Sequence, residues 1–209
     1  MERNIVILTE SSKDGGLCVA GVDFNTGKWI RLVKNDGEQI TRNIMKYADG
    51  SSVEILDCVR VNTIGSAATP IQSENVYLNT ATNIKRIKKI SLRELLTIHN
   101  LENHRNILGS YNHVIRSNAE GVGHSLELVK VNNAVLHRVP GSNGYDKSKL
   151  EFDYNNTHYN NMSVTDPDYY YVEDGTSFGD AILVISLANN NYKDFGYFKI
   201  IAKIFRLNS

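Results

Sequence analysis

The chain has 209 residues, 41% of them hydrophobic, which is room for one large domain or two small ones with packed cores. Lys plus Arg and Asp plus Glu each number 23, so the formal net charge is zero. A neutral chain has no global field to draw it onto nucleic acid or an acidic membrane, so any polyanion site must be a local patch.

The first residues, MERNIVILTE, show no cleavable signal pattern, and no apolar run approaches the roughly 20 residues that span a bilayer. A cytoplasmic protein without a membrane partner is expected. Residues 5–8 read as a first strand and residues 10–16 as a polar loop. GGLCVAGVDFNTGKWIRLV follows, two short apolar runs around Asn25-Thr26-Gly27-Lys28. Asn and Gly reach positive φ cheaply, so this stretch reads as a β-hairpin. Trp29, the single tryptophan, stands two residues from Arg31. The pair is either a core anchor beside a surface charge or a stacking face beside a phosphate clamp.

Residues 35–50 read as a long loop or a helical turn, with a tight turn at Asp49-Gly50. Residues 53–61, VEILDCVRV, alternate as a strand in which Asp57 is the single polar interruption on one face. That carboxylate is expected to lie at an edge or pair with a donor, and to be less buried than its neighbours. Residues 70–78 form a polar loop ending in a short extended piece. Residues 83–90 carry Lys85, Arg86, Lys88 and Lys89, the densest basic cluster. Ser91 and Glu94 match a capping box ahead of Leu92, Leu95 and Leu96, so a helix is expected there, ending near Asn100. A second, weaker helix fits residues 101–108.

Residues 117–123 read as a linker, and the chain is strand-rich beyond them. Strands are expected over residues 125–131, 135–139, 150–154, 159–164, 181–187 and 197–205, with a turn at residues 141–144. Pro167 cannot donate to a ladder and should stop the strand before it. Tyr169, Tyr170 and Tyr171 form an aromatic run that can pack over a barrel end. Many short strands with one helical connection indicate an all-β chain with a minor helical segment. Two OB-like β-barrels packed side by side fit this count, the first over residues 1–116 with the helical connection and the second over residues 117–209. There is no exact internal repeat; the one echo is between ILDCVRV and AILVISL.

The runs GGLCVAGVDFNTGKWIRLV, EILDCVRV, IQSEN, YNNMSVTDP, ILVISLA and GYFKIIAKIF occur in this order along nearly the whole chain. In this order they resemble the prokaryotic dual OB-containing domain family. The resemblance implies two OB-like barrels and a nucleic-acid or nucleotide binder, with a link in some members to bacterial defence against phages and plasmids. It supplies no catalytic residues.

Residue chemistry agrees. The six histidines form no zinc spacing, and neither a G-x-S-x-G elbow nor a P-loop is present. Asp166 and Asp168 around Pro167 are explained by a turn before a metal. No catalytic residue, metal or cofactor is expected, and Cys18 and Cys58 read as free buried thiols of a reducing compartment.

OB barrels stack bases on aromatic rings while Lys and Arg follow phosphates. Candidates on the first barrel are Lys13, Trp29 and Arg31, with Gln72, Glu74 and Asn75 for base edges or a ribose. Lys85 and Arg86 are candidates against the plainer reading of a solvated face. On the second barrel they are Tyr154, Tyr159, Thr165 and Asp166. The expected partner is single-stranded or structured nucleic acid. The alternatives are a nucleotide or small-ligand sensor, or a protein-interaction scaffold serving proteins encoded nearby.

Overall fold

The structure, a computed structural model, describes residues 1–13, 16–36, 38, 40–115, 122–141, 144–188 and 196–207, with backbone alone at residues 12 and 13. The chain falls into two compact units, Met1–Asn100 and Leu101–Ser209.

In the first unit five strands pair in a ring: β1 (Glu2–Lys13), β2 (Gly16–Asp23), β3 (Trp29–Val33), β5 (Asn75–Leu78), β4 (Asp57–Ser66), then back to β1. All neighbours are antiparallel except β3 and β5, which run parallel. This is a closed barrel. Ile5, Ile7, Val19, Ile30, Leu32, Val59 and Val61 alternate along its strands and fill the interior. The residues between them, Val6, Leu8, Ala20, Val22 and Cys58, are buried as well, so this region of β1, β2 and β4 is covered on both faces.

The hairpin forms as its turn residues demand. Gly27 takes φ 66°, and Asp23 accepts from the Asn25 and Thr26 N–H groups at 3.0 and 2.9 Å. Helix α1 (Leu92–Ile98) begins where the capping signal placed it, with Ser91 Oγ accepting the Glu94 N–H at 3.1 Å. Glu94 itself turns to Lys88, at 2.6 Å, and not back to the cap.

Three expectations for this unit are corrected. The polar loop expected over residues 10–16 is largely strand, since β1 runs to Lys13 and β2 begins at Gly16. The strand expected over residues 53–61 begins at Asp57, because Leu56 sits at φ 68° and breaks the extended run. Asp57 is 2% exposed, no less buried than its strand neighbours, since the Tyr47 hydroxyl donates to it at 2.7 Å and the Glu54 N–H at 3.0 Å. The basic cluster, to which the sequence assigned no element, is a strand, β6 (Lys85–Lys89), paired to β4 with all five side chains exposed.

The second unit repeats the same ring order. It runs β8 (Leu126–Val139), β9 (Lys147–Tyr154), β10 (Thr157–Val164), β12 (Tyr197–Arg206), β11 (Thr176–Ala188), and back to β8, with β10 and β12 parallel. The echo between ILDCVRV and AILVISL thus falls on β4 and β11, which hold the same place in the two rings. The two strands expected over residues 125–131 and 135–139 are one strand, β8. Its register slips between Asn132 and Val135, where Asn133 takes φ 52°.

Residues 101–115 belong to this unit, although the sequence grouped them with the first. β7 (Val114–Ile115) pairs with β12, and the Ile107 N–H donates to the Tyr159 hydroxyl at 3.2 Å. The expected helix over residues 101–108 is reduced to one 3-10 turn at Ile107–Gly109. Leu108 adopts φ 50° there and donates its N–H to the buried Glu127 carboxylate at 2.8 Å. The linker expected at residues 117–123 lies mostly outside the described residues.

Glu10, near the end of β1, gives this fold a pH signature. Burial pushes its carboxyl up to about 7, with Arg42 opposing the shift and Asp57 adding to it. A carboxyl raised on folding leaves stability intact below the unfolded value of 4.5 and erodes it as pH climbs through about 7. Glu10→Gln should therefore match the parent at pH 4 and exceed it at pH 8 by about 1–2 kcal/mol in urea unfolding, allowing for solvent access. An equal difference at both pH values would refute this origin.

Candidate functional site

Because β3 and β5 run parallel, both begin at the same end of the barrel, with Arg31 opposite Asn75. The β2–β3 turn and the β4–β5 loop consequently meet at one end of the first barrel. Between them is a cleft of about 800 Å³ whose lining includes Arg3, Lys28, Trp29, Ile64, Glu74 and Asn75.

Trp29 is half-buried in this cleft. Its ring meets the His99 imidazole edge-on, with centroids 5.0 Å apart and planes at 72°. His99 closes α1, and its Nδ1 donates to the Gly27 carbonyl at 2.7 Å. A Cβ on Gly27 would lie 2.3 Å from the Ile98 carbonyl oxygen. The turn and the helix end are therefore in direct contact, and together they set the orientation of the tryptophan ring.

Arg31 does not reach the cleft as the expected phosphate clamp. It is 5% exposed, its Nη2 lies 3.6 Å from Glu74 Oε1, and its N–H donates to the Glu74 carbonyl at 3.0 Å. A buried guanidinium beside a buried carboxylate satisfies its charge internally, so Arg31 and Glu74 stiffen the wall of the cleft. Gln72, 3% exposed, accepts from Asn75 Nδ2 at 3.0 Å. Asn75 Oδ1 has no hydrogen-bond partner among the described residues. The cations that do line the cleft are ones the sequence reading did not select. Lys28 is exposed, and Arg3 lies 3.9 Å from the Asp23 carboxylate. The signal for Lys28 was its place in the hairpin turn; nothing local marks Arg3.

The remaining candidates lie elsewhere. Lys13 pairs with Gly16 at the far end of β2 from Val22, the residue opposite Trp29, and its side chain lies outside the described residues. Lys85 and Arg86 are on β6, where the Arg86 guanidinium covers the Tyr47 ring at 4.3 Å.

In the second unit all four candidates have structural duties. Tyr154 and Tyr159 are 3% and 1% exposed, and Tyr159 stacks on Phe152 at 5.3 Å. Thr165 donates its N–H and its hydroxyl to the Ile201 carbonyl at 2.9 and 3.2 Å. Asp166 is 1% exposed and receives Lys203 Nζ at 3.1 Å. Inward alternation on β9 and β10 buries the two rings, and Thr165 and Asp166 are engaged in the turn that follows β10. The Tyr169–Tyr171 run divides, with Tyr169 8% exposed and Tyr171 94%.

No group of three or more His, Cys, Asp or Glu side chains among the described residues could hold a metal ion. No helix among them is long and apolar enough to cross a membrane.

The family model of the dual OB-containing domain matches residues 3–204. No curated protein and no solved structure matches the chain.

Proposed function

The chain belongs to the dual OB-containing domain family, and from that premise we propose that it is a non-catalytic module that binds single-stranded or structured nucleic acid. The observation that carries the reading is the cleft of about 800 Å³ on the first barrel, where a half-exposed tryptophan stands beside Lys28 and Arg3. OB barrels bind oligonucleotides with a barrel face and the flanking loops, the β4–β5 loop among them. A base stacked on the Trp29 ring would place its phosphates within reach of the two cations.

As the single tryptophan, Trp29 reports its own contacts. Single-stranded DNA or RNA at low salt should quench its fluorescence. Trp29→Ala should weaken binding, followed by anisotropy of a labelled oligonucleotide, by about 1–3 kcal/mol. Absence of quenching and of anisotropy change with every oligonucleotide, structured ones included, would overturn the reading. Breakdown or joining of the bound strand would overturn its non-catalytic half.

A second reading, a nucleotide or small-ligand sensor, is favoured by one observation. The cleft volume lies inside the roughly 300–1,000 Å³ of small-molecule sites. A mononucleotide held at 100 times its dissociation constant would stabilise the chain by about 2.7 kcal/mol. Such a stabilisation without oligonucleotide binding would favour this reading. The wider setting we propose is bacterial defence against phages and plasmids, which rests on the family resemblance. A deletion strain that admits both as readily as its parent would refute it.

A further inference from the structure

The second unit carries its own exposed strand face. Along β9 the side chains of Ser148, Leu150, Phe152 and Tyr154 are buried, while Lys147, Lys149, Glu151 and Asp153 alternate outward. β10 adds His158 and Ser163 beside them, paired across to Asp153 and Lys149. These are the second and third strands of their ring. In the first unit the corresponding residues Ala20, Val22 and Arg31 are no more than 5% exposed. The second and third strands are where OB barrels take up oligonucleotides, together with the loop joining the first strand to the second. In this chain the polar, accessible version of that face is on the second unit.

One end of the face is built around Arg138. Its Nη1 donates to Ser148 Oγ at 2.8 Å and to the Tyr170 carbonyl, and its Nη2 donates to the Asp146 carbonyl at 3.3 Å. Ser148 Oγ in turn donates to the Tyr169 carbonyl at 2.7 Å. One guanidinium and one hydroxyl thus tie the β8–β9 loop to the β10–β11 loop. The residues beside the tied carbonyls are Tyr145 and Tyr171, 76% and 94% exposed, the most exposed aromatic side chains among the described residues. Lys147 follows Tyr145 on β9, and Lys149 Nζ donates to Ser163 Oγ at 2.8 Å on the neighbouring strand.

Along β9 the lysines and the carboxylates occupy different ends. Glu151 and Asp153 lie toward the opposite end, with His158 Nδ1 2.8 Å from Asp153 and His137 Nε2 3.4 Å from Glu151. Near the tyrosines, the Asp174 carboxylate accepts the Arg138 N–H at 2.8 Å, and Asp146 is the carboxylate of the β8–β9 loop. Of the two ends, only the one with Lys147 and Lys149 presents lysines on the strand face, and the two carboxylates beside it are set in the loops.

We propose that Tyr145 and Tyr171, with Lys147 and Lys149, form a second nucleic-acid contact surface, which takes single strands by stacking two unpaired bases on the tyrosine rings. The proposal rests on the nucleic-acid reading of the chain. A duplex hides its base faces, so this surface selects unpaired strands. Because the loops are tied from beneath by Arg138, the rings need little ordering on binding. Two lysines engaging about two phosphates give this surface a shallow salt dependence, a slope near −1.4 in log K against log salt.

The test uses the full chain, a labelled single-stranded oligonucleotide read by anisotropy, and Trp29 fluorescence as an independent monitor of the first unit. Tyr145→Ala with Tyr171→Ala should weaken binding by about tenfold per ring. Tyr145→Phe with Tyr171→Phe should keep it, because the stacking face survives. Both rings are solvent-exposed, so neither pair of changes removes core packing. Unchanged anisotropy affinity in the double alanine variant, with Trp29 quenching intact, overturns the second surface and leaves the nucleic-acid reading standing. Loss of binding in the phenylalanine pair overturns the stacking role. No binding of any strand by the parent chain overturns both.

Discussion

Gly21→Ala should unfold the first barrel more readily than any other single-methyl change in it. A Cβ at this position would lie 1.9 Å from the Val6 carbonyl oxygen and 2.8 Å from its carbon, both backbone atoms. The conflict cannot be relieved by a rotamer, because the obstacle is the neighbouring strand itself. β1 cannot retreat either, since it pairs with β2 on one edge and β4 on the other within a closed ring. The close approach falls beside the register slip of β1 between Ile7 and Thr9, where the strand must bend to complete the barrel. A cost of about 3 kcal/mol or more is expected, which for a chain of this size lowers the melting temperature by about 6–12 °C. Gly50→Ala is the control. Gly50 takes φ 85° with nothing within 4 Å of its would-be Cβ, so only the backbone strain of about 1–2 kcal/mol applies. Equal melting temperatures for the two variants would show that the strand contact at Gly21 is softer than its geometry implies.

Gly21 also marks the limit of what a single sequence displays. In the sequence it reads as an ordinary residue of an apolar run; its necessity comes from a strand that passes beside it. The same division holds across the molecule. The hairpin, the helix start and the stop before Pro167 were legible because each is decided by residues within one turn of one another. β6 was not legible as a strand, because an edge strand with every side chain in water has no alternation to read. The single long β8 looked like two because the slip at Asn133 imitates a turn. The repeat of one ring order in both units left one faint echo in sequence, on β4 and β11, since barrel topology constrains where a strand pairs far more than which apolar residues it uses.

The site shows the same pattern. Trp29 was found in a cleft because hairpin position alone brings it to the barrel end. The burial of Arg31 was not legible because its partner Glu74 arrives through the parallel β3–β5 pairing, a contact between segments distant in sequence. Among the tyrosines, inward alternation claims Tyr154 and Tyr159, while Tyr145 and Tyr171 sit in loops where no periodicity assigns a face.

Asp166→Ala separates a structural carboxylate from a ligand contact, and the expected result is a loss of stability of about 3–5 kcal/mol with oligonucleotide affinity unchanged. Oδ1 of Asp166 accepts Lys203 Nζ at 3.1 Å and the Asp168 N–H at 3.2 Å, while Oδ2 accepts the Ile204 N–H at 3.0 Å. The truncation would leave the Lys203 cation, whose side chain is 11% exposed, facing only the solvent-exposed Asp168, and would strip the Ile204 N–H of its acceptor. Asp166→Asn keeps an acceptor for that N–H but loses the charge, so it should fall between the parent and the alanine variant. Replacing both members of the pair, Asp166→Leu with Lys203→Leu, should recover part of the loss, because most of the cost is the abandoned cation and not the attraction itself. Affinity has to be measured below the unfolding transition of each variant, so that a fall in folded protein is not read as a fall in binding. Weaker oligonucleotide binding by a fully folded Asp166→Ala chain would return this residue to the binding surface. Unchanged stability would mean that Lys203 finds water or another acceptor once Asp166 is gone.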